Sequence, residues 1–328
     1  MDAKKRPFAL MLIVVIESII LVYLLIYIHT SFKNSSVNGL TLNECNESVI
    51  LNESAEYNES TERNESTARN DISQDTLSAT DILSDSPVIS HSMGSINNIE
   101  YLNCLEGFVD QYAKGVRVFE VDLRMTHDLQ VVLRHDWRAG WQDNISETSV
   151  PTLDEFLSKP LLGQYTPLSF RDLLLLMEKH PDICIVTDTK FTDAEIVTLQ
   201  FEAMLQDAKE LGLTHLFDRM VIQVYTPLMF KVVNSIYPFP HYIFTLYAIG
   251  FGQTEESFEE IAIFCHDNSI AGITMWDYWW DSRYAPIAAK YGLSVYTHTV
   301  NDPISASKML SEGVSAVYTD ILVPSDFS

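Results

Sequence analysis

Two acids one residue apart, Glu120 and Asp122, close the apolar run VRVFEVDL, and a third, Asp188, stands two residues before Lys190 in ICIVTDTK. On a strand, side chains i and i+2 share a face, so Glu120 and Asp122 project together, as do Asp188 and Lys190. Buried carboxylates at this spacing repel one another unless a cation lies between them. The plain alternative is a solvated strand edge, but the flanking residues are too apolar for one. Oxygen donors alone suit a hard divalent cation, Ca²⁺ or Mg²⁺. The four cysteines, Cys45, Cys104, Cys184 and Cys265, show no CxxC or regular spacing and signal neither zinc nor a disulfide framework. His91 and His135 are the candidates for proton transfer, because imidazole titrates near working pH. A metal, a lysine and two histidines suit phosphoryl chemistry. The cation and Lys190 neutralise non-bridging oxygens, one imidazole deprotonates the nucleophile, and the other protonates the leaving alkoxide.

These groups need a scaffold that brings distant segments together. From Pro87 onward the pattern alternates between extended and helical stretches. Strands are expected at 88–91, 116–123, 183–190, 220–225, 242–248, 271–276, 293–300 and 314–320. Several of the intervening helical stretches end in Gly just before the next strand, as helix C-caps do. Eight strands with crossovers over this length predict an α/β fold, a (β/α)8 TIM barrel, and no GxGxxG follows the first strand to favour an open sheet. A barrel places active-site groups at the C-terminal ends of its strands. His91, the Glu120–Asp122 pair, the Asp188–Lys190 pair, Gln223 and Tyr225 end the first four strands, and Tyr247, Trp276 and His298 fall late in the next three. Lys190, Gln223, Trp276 and His298 are accordingly candidate substrate contacts. The aromatic stretch YWWDSRY, 278–284, follows the sixth strand, placed to stack on a sugar, dip into a lipid interface or simply pack over the barrel.

The N-terminus sets topology. Residues 1–7 carry Lys4, Lys5 and Arg6 ahead of an apolar run at 8–28. About 21 apolar positions suffice to span a bilayer core of roughly 30 Å. The positive flank places the N-terminus in the cytoplasm and the rest outside the cell membrane, and no small-residue cleavage site follows. Residues 29–86 are rich in Asn, Glu and Ser, with NES recurring at Asn46, Asn52, Asn58 and Asn64, and read as a disordered stalk. Each NES matches the N-glycosylation sequon, read here as a slipped repeat in a bacterial spacer. The barrel domain is expected over 87–328. A net charge of −24 argues against nucleic acid as a partner and suits divalent cations.

The ordered set ISHSMG (His91), LNCLEGF (102–108), FEVDL (Glu120, Asp122), LRHDW (His135), VTDTK (Asp188, Lys190), THTVND (297–302) and VYTD (317–320) resembles the glycerophosphodiester phosphodiesterase family. That family lies within the wider group of phosphatidylinositol-specific phospholipase C-like barrels. The resemblance covers nearly all of 87–325 and points to a divergent, membrane-anchored bacterial branch. It implies a metal held by Glu120, Asp122 and Asp188, with His91 as general base, His135 as general acid and Lys190 as a phosphate contact. Three positions depart from the pattern. Ser92 stands where the family has an arginine that helps hold phosphate, Leu102 replaces a glutamate, and Asp188 replaces a longer glutamate. The function implied is metal-dependent hydrolysis of glycerophosphodiesters or related lipid- or wall-derived head groups. A lyase of the phospholipase type, leaving a cyclic phosphate, would use the same acid and base. A non-catalytic module binding head groups or glycans is the third reading.

Overall fold

The computed structural model describes residues 79–137 and 150–327. The apolar run 8–28 and the stalk up to residue 78 lie outside the described residues. Among the described residues, no helix is long and apolar enough to cross a membrane.

Among the described residues nine strands form: β1 (Val88–Ser90), β2 (Val118–Met125), β3 (Val131–Leu133), β4 (Cys184–Asp188), β5 (Met220–Val224), β6 (Tyr242–Thr245), β7 (Gly272–Trp276), β8 (Ser294–His298) and β9 (Ala316–Thr319). Eight are parallel in the order β1-β9-β8-β7-β6-β5-β4-β2, and the pairing of Ser90 with Phe119 joins β1 back to β2. The sheet is thus a closed (β/α)8 barrel. All eight expected strands are present, each within a few residues of its expected bounds. Strand β3 is additional: it folds back antiparallel on β2, Leu133 opposite Leu123, and carries the chain to His135.

Among the described residues nine helices accompany them: α1 (Ala79–Ser84), α2 (Leu105–Ala113), α3 (Leu153–Leu157), α4 (Phe170–Lys179), α5 (Ala194–Leu211), α6 (Pro227–Ile236), α7 (Glu255–Asp267), α8 (Tyr284–Lys290) and α9 (Pro303–Ser311). Polar caps start several of them close behind the strands. The Thr226 hydroxyl accepts from the Met229 amide ahead of Pro227, and the Asp302 carboxylate accepts from the Ser305 amide ahead of Pro303. Helix α4 buries Phe170, Leu173, Leu174 and Met177, a stripe at helical spacing, against the barrel wall. Gly212 ends α5 in the left-handed conformation, φ 70°.

The alternation along β2 shows how the sequence divides inside from outside. Phe119, Val121 and Leu123 join the larger apolar cluster beneath the helices. Val118 belongs to a second cluster with Ile89, Cys184, Val186, Val221, Ile243, Tyr296, Ala316 and Tyr318, which fills the barrel itself. Gly272 makes room in it: a β-carbon there would stand 2.7 Å from the Tyr296 ring and 2.9 Å from the Ser294 carbonyl oxygen.

One boundary differs from the sequence reading. Residues 79–84, assigned there to the stalk, form α1, whose Ala79, Ile82 and Leu83 are buried in the barrel's interior cluster. The segment is six residues long, too short to show a period above its Ser- and Asp-rich surroundings. Burying an Ile or Leu side chain contributes about 1.5–3 kcal/mol. The double variant Ile82→Ala, Leu83→Ala is therefore expected to lower unfolding free energy by about 3–5 kcal/mol in urea denaturation. A change below 1 kcal/mol would mean that α1 does not seal the barrel.

Candidate active site

The three acids stand where the strand ends place them. Asp122 and Asp188 are register partners on adjacent strands, and Glu120 lies one inward position deeper on β2. All three are buried, at 1%, 0% and 5% exposure for Glu120, Asp122 and Asp188. One oxygen from each lies within 4.8 Å of the others.

Two left-handed residues hold this cluster in place. After β1 the chain turns through His91–Met93, with Ser92 at φ 49° and ψ 37°. There the Ser92 amide donates to Glu120 Oε2 at 2.7 Å and its hydroxyl to Asp122 Oδ2 at 2.6 Å. Asn103, buried with φ 50°, donates through Nδ2 to Asp122 Oδ2 at 2.7 Å and accepts the Asp122 amide at 2.9 Å. Gly94 closes the turn at φ 86°, where a β-carbon would run into the Gln111 side chain at 2.4 Å.

Lys190 reaches the acids by a different route from the one expected. Strand β4 ends at Asp188, and Lys190 has a positive φ of 59° instead of continuing the alternation. Its ammonium pairs with Asp122 Oδ1 at 2.6 Å and also with Asp188 Oδ2. Burial opposes the Lys190 charge, but Asp122, Asp188 and Glu120 keep it well above the ordinary lysine range. Burial would likewise raise Asp122, yet Lys190, His135 and His91 hold its carboxyl well below the usual range. For Glu120 the His91 and Lys190 charges compensate only in part. Burial, reinforced by the Asp122 charge, pushes it up to about 8.

The two histidines face one cavity. His91 Nδ1 donates to Asp320 Oδ1 at 2.7 Å, and Asn301 Nδ2 steadies the other Asp320 oxygen at 2.6 Å. Asn301 Oδ1 in turn accepts the Asp320 amide at 2.8 Å. Burial alone would lower the His91 pKa, but the Asp320 hydrogen bond and the charges of Glu120 and Asp122 raise it to about 9. His135, just past β3, bonds Asp136 Oδ2 through Nδ1 at 3.0 Å. Asp320 and Asn301 lie in the VYTD and THTVND stretches, which the sequence reading noted without giving those residues a role. Tyr101 had no sequence signal, although its ring touches both imidazoles.

The cavity, about 310 Å³, is lined by His91, Tyr101, His135, Asp188, Lys190, Thr192, Tyr225, Tyr247, Ala248, Trp276, His298 and Thr299. His298 stacks on Trp276 at 4.5 Å, and Tyr247 meets both rings at 5.3 Å. Burial, with the nearby His91 and Lys190 charges, lowers His298 to about 3, so it faces the cavity as a neutral ring. Gln223 is the expected contact that does not line the cavity. Tyr225 does so, two residues further along, while Gln223 is buried and accepts the Tyr318 hydroxyl at 2.9 Å. In the aromatic stretch, Trp279 packs on Phe251 and Tyr284 stacks on Phe258, whereas Tyr278 is 72% exposed.

The donor set fits a hard divalent cation. Three carboxylates stand against one ammonium, all the acid donors are oxygen, and Glu120 is left without a countercharge of its own. Glu120, Asp122 and Asp188 would hold the ion.

No protein-family model matches the chain. Solved structures do. An Oleispira antarctica phosphodiesterase in complex with the product sn-glycerol-3-phosphate superposes with a TM-score of 0.59 at 16% identity, over 73% of this chain and 95% of that one. A glycerophosphodiester phosphodiesterase from Parabacteroides distasonis gives 0.56 at 17% identity, over 73% and 94%. One from Agrobacterium tumefaciens gives 0.55 at 13% identity, over 74% and 98%. The chain thus shares the (β/α)8 barrel fold of solved glycerophosphodiester phosphodiesterases.

Proposed function

We propose that the protein is a metal-dependent phosphodiesterase of the glycerophosphodiester phosphodiesterase family, cleaving glycerophosphodiesters or related lipid- or wall-derived head groups. One observation carries this reading: Lys190, both histidines and Asp188 line a single cavity at the mouth of the barrel, and Asp188 belongs to the buried cluster with Glu120 and Asp122. When bound, Ca²⁺ or Mg²⁺ would supply Lewis-acid neutralisation of the non-bridging phosphoryl oxygens.

The chain's own groups handle the protons. With Nδ1 committed to Asp320, His91 presents Nε2 to the attacking water. Once a cation held by the acids offsets the Glu120 and Asp122 charges that favour its protonated form, the neutral ring takes the proton, and the Asp320 carboxylate stabilises the imidazolium that forms. With Nδ1 committed to Asp136, His135 has Nε2 free to protonate the leaving alkoxide. Lys190, bound to Asp122 and Asp188, orients those carboxylates and adds positive charge beside the phosphoryl group. Trp276, His298 and Tyr247 form an apolar wall for the rest of the substrate.

The run 8–28 would anchor the protein in the cell membrane, with Lys4, Lys5 and Arg6 on the cytoplasmic side and the barrel outside. Its length and the basic flank support this placement. An anchored enzyme suits a substrate held in the membrane or wall.

The purified full-length chain in detergent tests the reading. It should release alcohol from glycerophosphocholine or an aryl phosphodiester, lose that activity in a chelator and regain it with Ca²⁺ or Mg²⁺. A folded protein with chelator-insensitive turnover, or with none on any diester, would refute it.

A further inference from the structure

Tyr101 lies in the loop between His91–Met93 and α2, and three features set it apart. Its backbone sits at φ 62°, a region that asparagines such as Asn97, Asn98 and Asn103 tolerate but that a bulky aromatic rarely adopts. Such outliers persist where the surrounding structure over-determines them, and they cluster at functional sites. Its ring stands between the two imidazoles, 5.1 Å from His91 edge-on and 4.7 Å from His135. Among the described residues no other ring contacts either histidine. Finally, Tyr101 is 36% exposed and lines the cavity, and among the described residues no hydrogen bond engages its hydroxyl.

Two donors that a phosphate oxygen would be expected to use are already engaged. Lys190 is held by Asp122 and Asp188, and Ser92, where the family resemblance puts a phosphate-holding arginine, spends its amide and hydroxyl on Glu120 and Asp122. Burial and the negative charge of Asp320 raise the Tyr101 pKa, so the phenol keeps its proton at neutral pH and serves as a donor. We infer that Tyr101 is a substrate-binding residue of this site: its hydroxyl donates to a non-bridging phosphoryl oxygen, and its ring spaces His91 from His135. The inference rests on the phosphodiesterase reading and extends it to a residue that reading does not use.

The test uses the full-length chain with saturating Mg²⁺ or Ca²⁺. Kinetics on glycerophosphocholine and calorimetric binding of sn-glycerol 3-phosphate are compared for wild type, Tyr101→Phe and Tyr101→Ala. Losing one hydrogen bond to a charged group should raise KM and weaken glycerol phosphate binding by about tenfold in Tyr101→Phe. Its kcat should stay within about threefold, because the ring is kept. Tyr101→Ala should in addition lose kcat by at least about tenfold, as the imidazoles lose their common wall. A Tyr101→Phe protein with wild-type KM and glycerol phosphate affinity overturns the inference, and its near-isosteric side chain keeps that arm decisive even if Tyr101→Ala fails to fold. If the wild type binds glycerol phosphate but turns over no diester, weaker binding by Tyr101→Phe upholds Tyr101 as the phosphate contact while the enzymatic reading falls. No binding by the wild type overturns both.

Discussion

His91→Ala is expected to lower kcat on glycerophosphodiesters by roughly 10²–10⁴-fold, the usual contribution of a positioned general acid or base. Asp320→Asn should follow it down, by about 10²-fold, although Asp320 lines no part of the cavity. Asp320 fixes the tautomer of His91 through the 2.7 Å bond to Nδ1 and supplies the charge that favours the imidazolium. An asparagine keeps the shape but not the charge, and its amide face is free to turn toward Nδ1 and reverse the ring's polarity. Both variants should bind metal as the wild type does, because neither residue belongs to the acid triad. Steady-state kinetics beside calcium or magnesium titrations separate the two properties. Retention of activity within threefold in His91→Ala would remove His91 from proton transfer.

The second large effect concerns stability without metal. The folded His91 pKa, about 9, lies above its ordinary 6.5, so its contribution is fully present below pH 6.5 and is lost as pH rises through 9. Glu120 acts in the same direction. Raised to about 8 from 4.5, it folds most readily as the neutral acid, and its buried charge destabilises progressively between those values. Asp122 opposes them only in acid, because its depressed pKa contributes stability that disappears as pH falls below the unfolded value. The metal-free protein should therefore be most stable near pH 4–6 and lose on the order of 3 kcal/mol or more by pH 9. A divalent cation replaces those protons, so it should stabilise far more at pH 8 than at pH 5 and release protons on binding. Thermal unfolding at pH 5, 7 and 9, with chelator and with Ca²⁺, reads this directly. A flat profile in chelator would show that the acids and His91 do not share one field.

How much of this was legible depended on whether the backbone kept a period. Glu120 and Asp122 could be placed together because β2 alternates regularly, and the eight strands stood out as apolar runs, several preceded by a glycine such as Gly292 ahead of β8. The elements that complete the site keep no period. Ser92, Tyr101, Asn103 and Lys190 all have positive φ, so their side chains arrive from directions that strand or helix spacing cannot give. Lys190 was paired correctly with Asp188, but for the wrong geometric reason. Gln223 was misplaced because strand-end position alone does not say which inward layer reaches the cavity. Helix α1 was missed because three apolar side chains in a polar stretch acquire meaning only against the barrel interior.

The closure of the ring through β1 has a consequence for synthesis. Strand β1 lies between β2 and β9, the last strand, and His91 finds its carboxylate only at Asp320. A chain emerging from the ribosome N-terminus first thus carries an unpaired first strand almost to its end, and long-range parallel pairing of this kind is slow and exposes unpaired edges. Nascent chains stalled short of residue 320 should be inactive whatever their length, because the proton-transfer centre is assembled by the final strand to arrive.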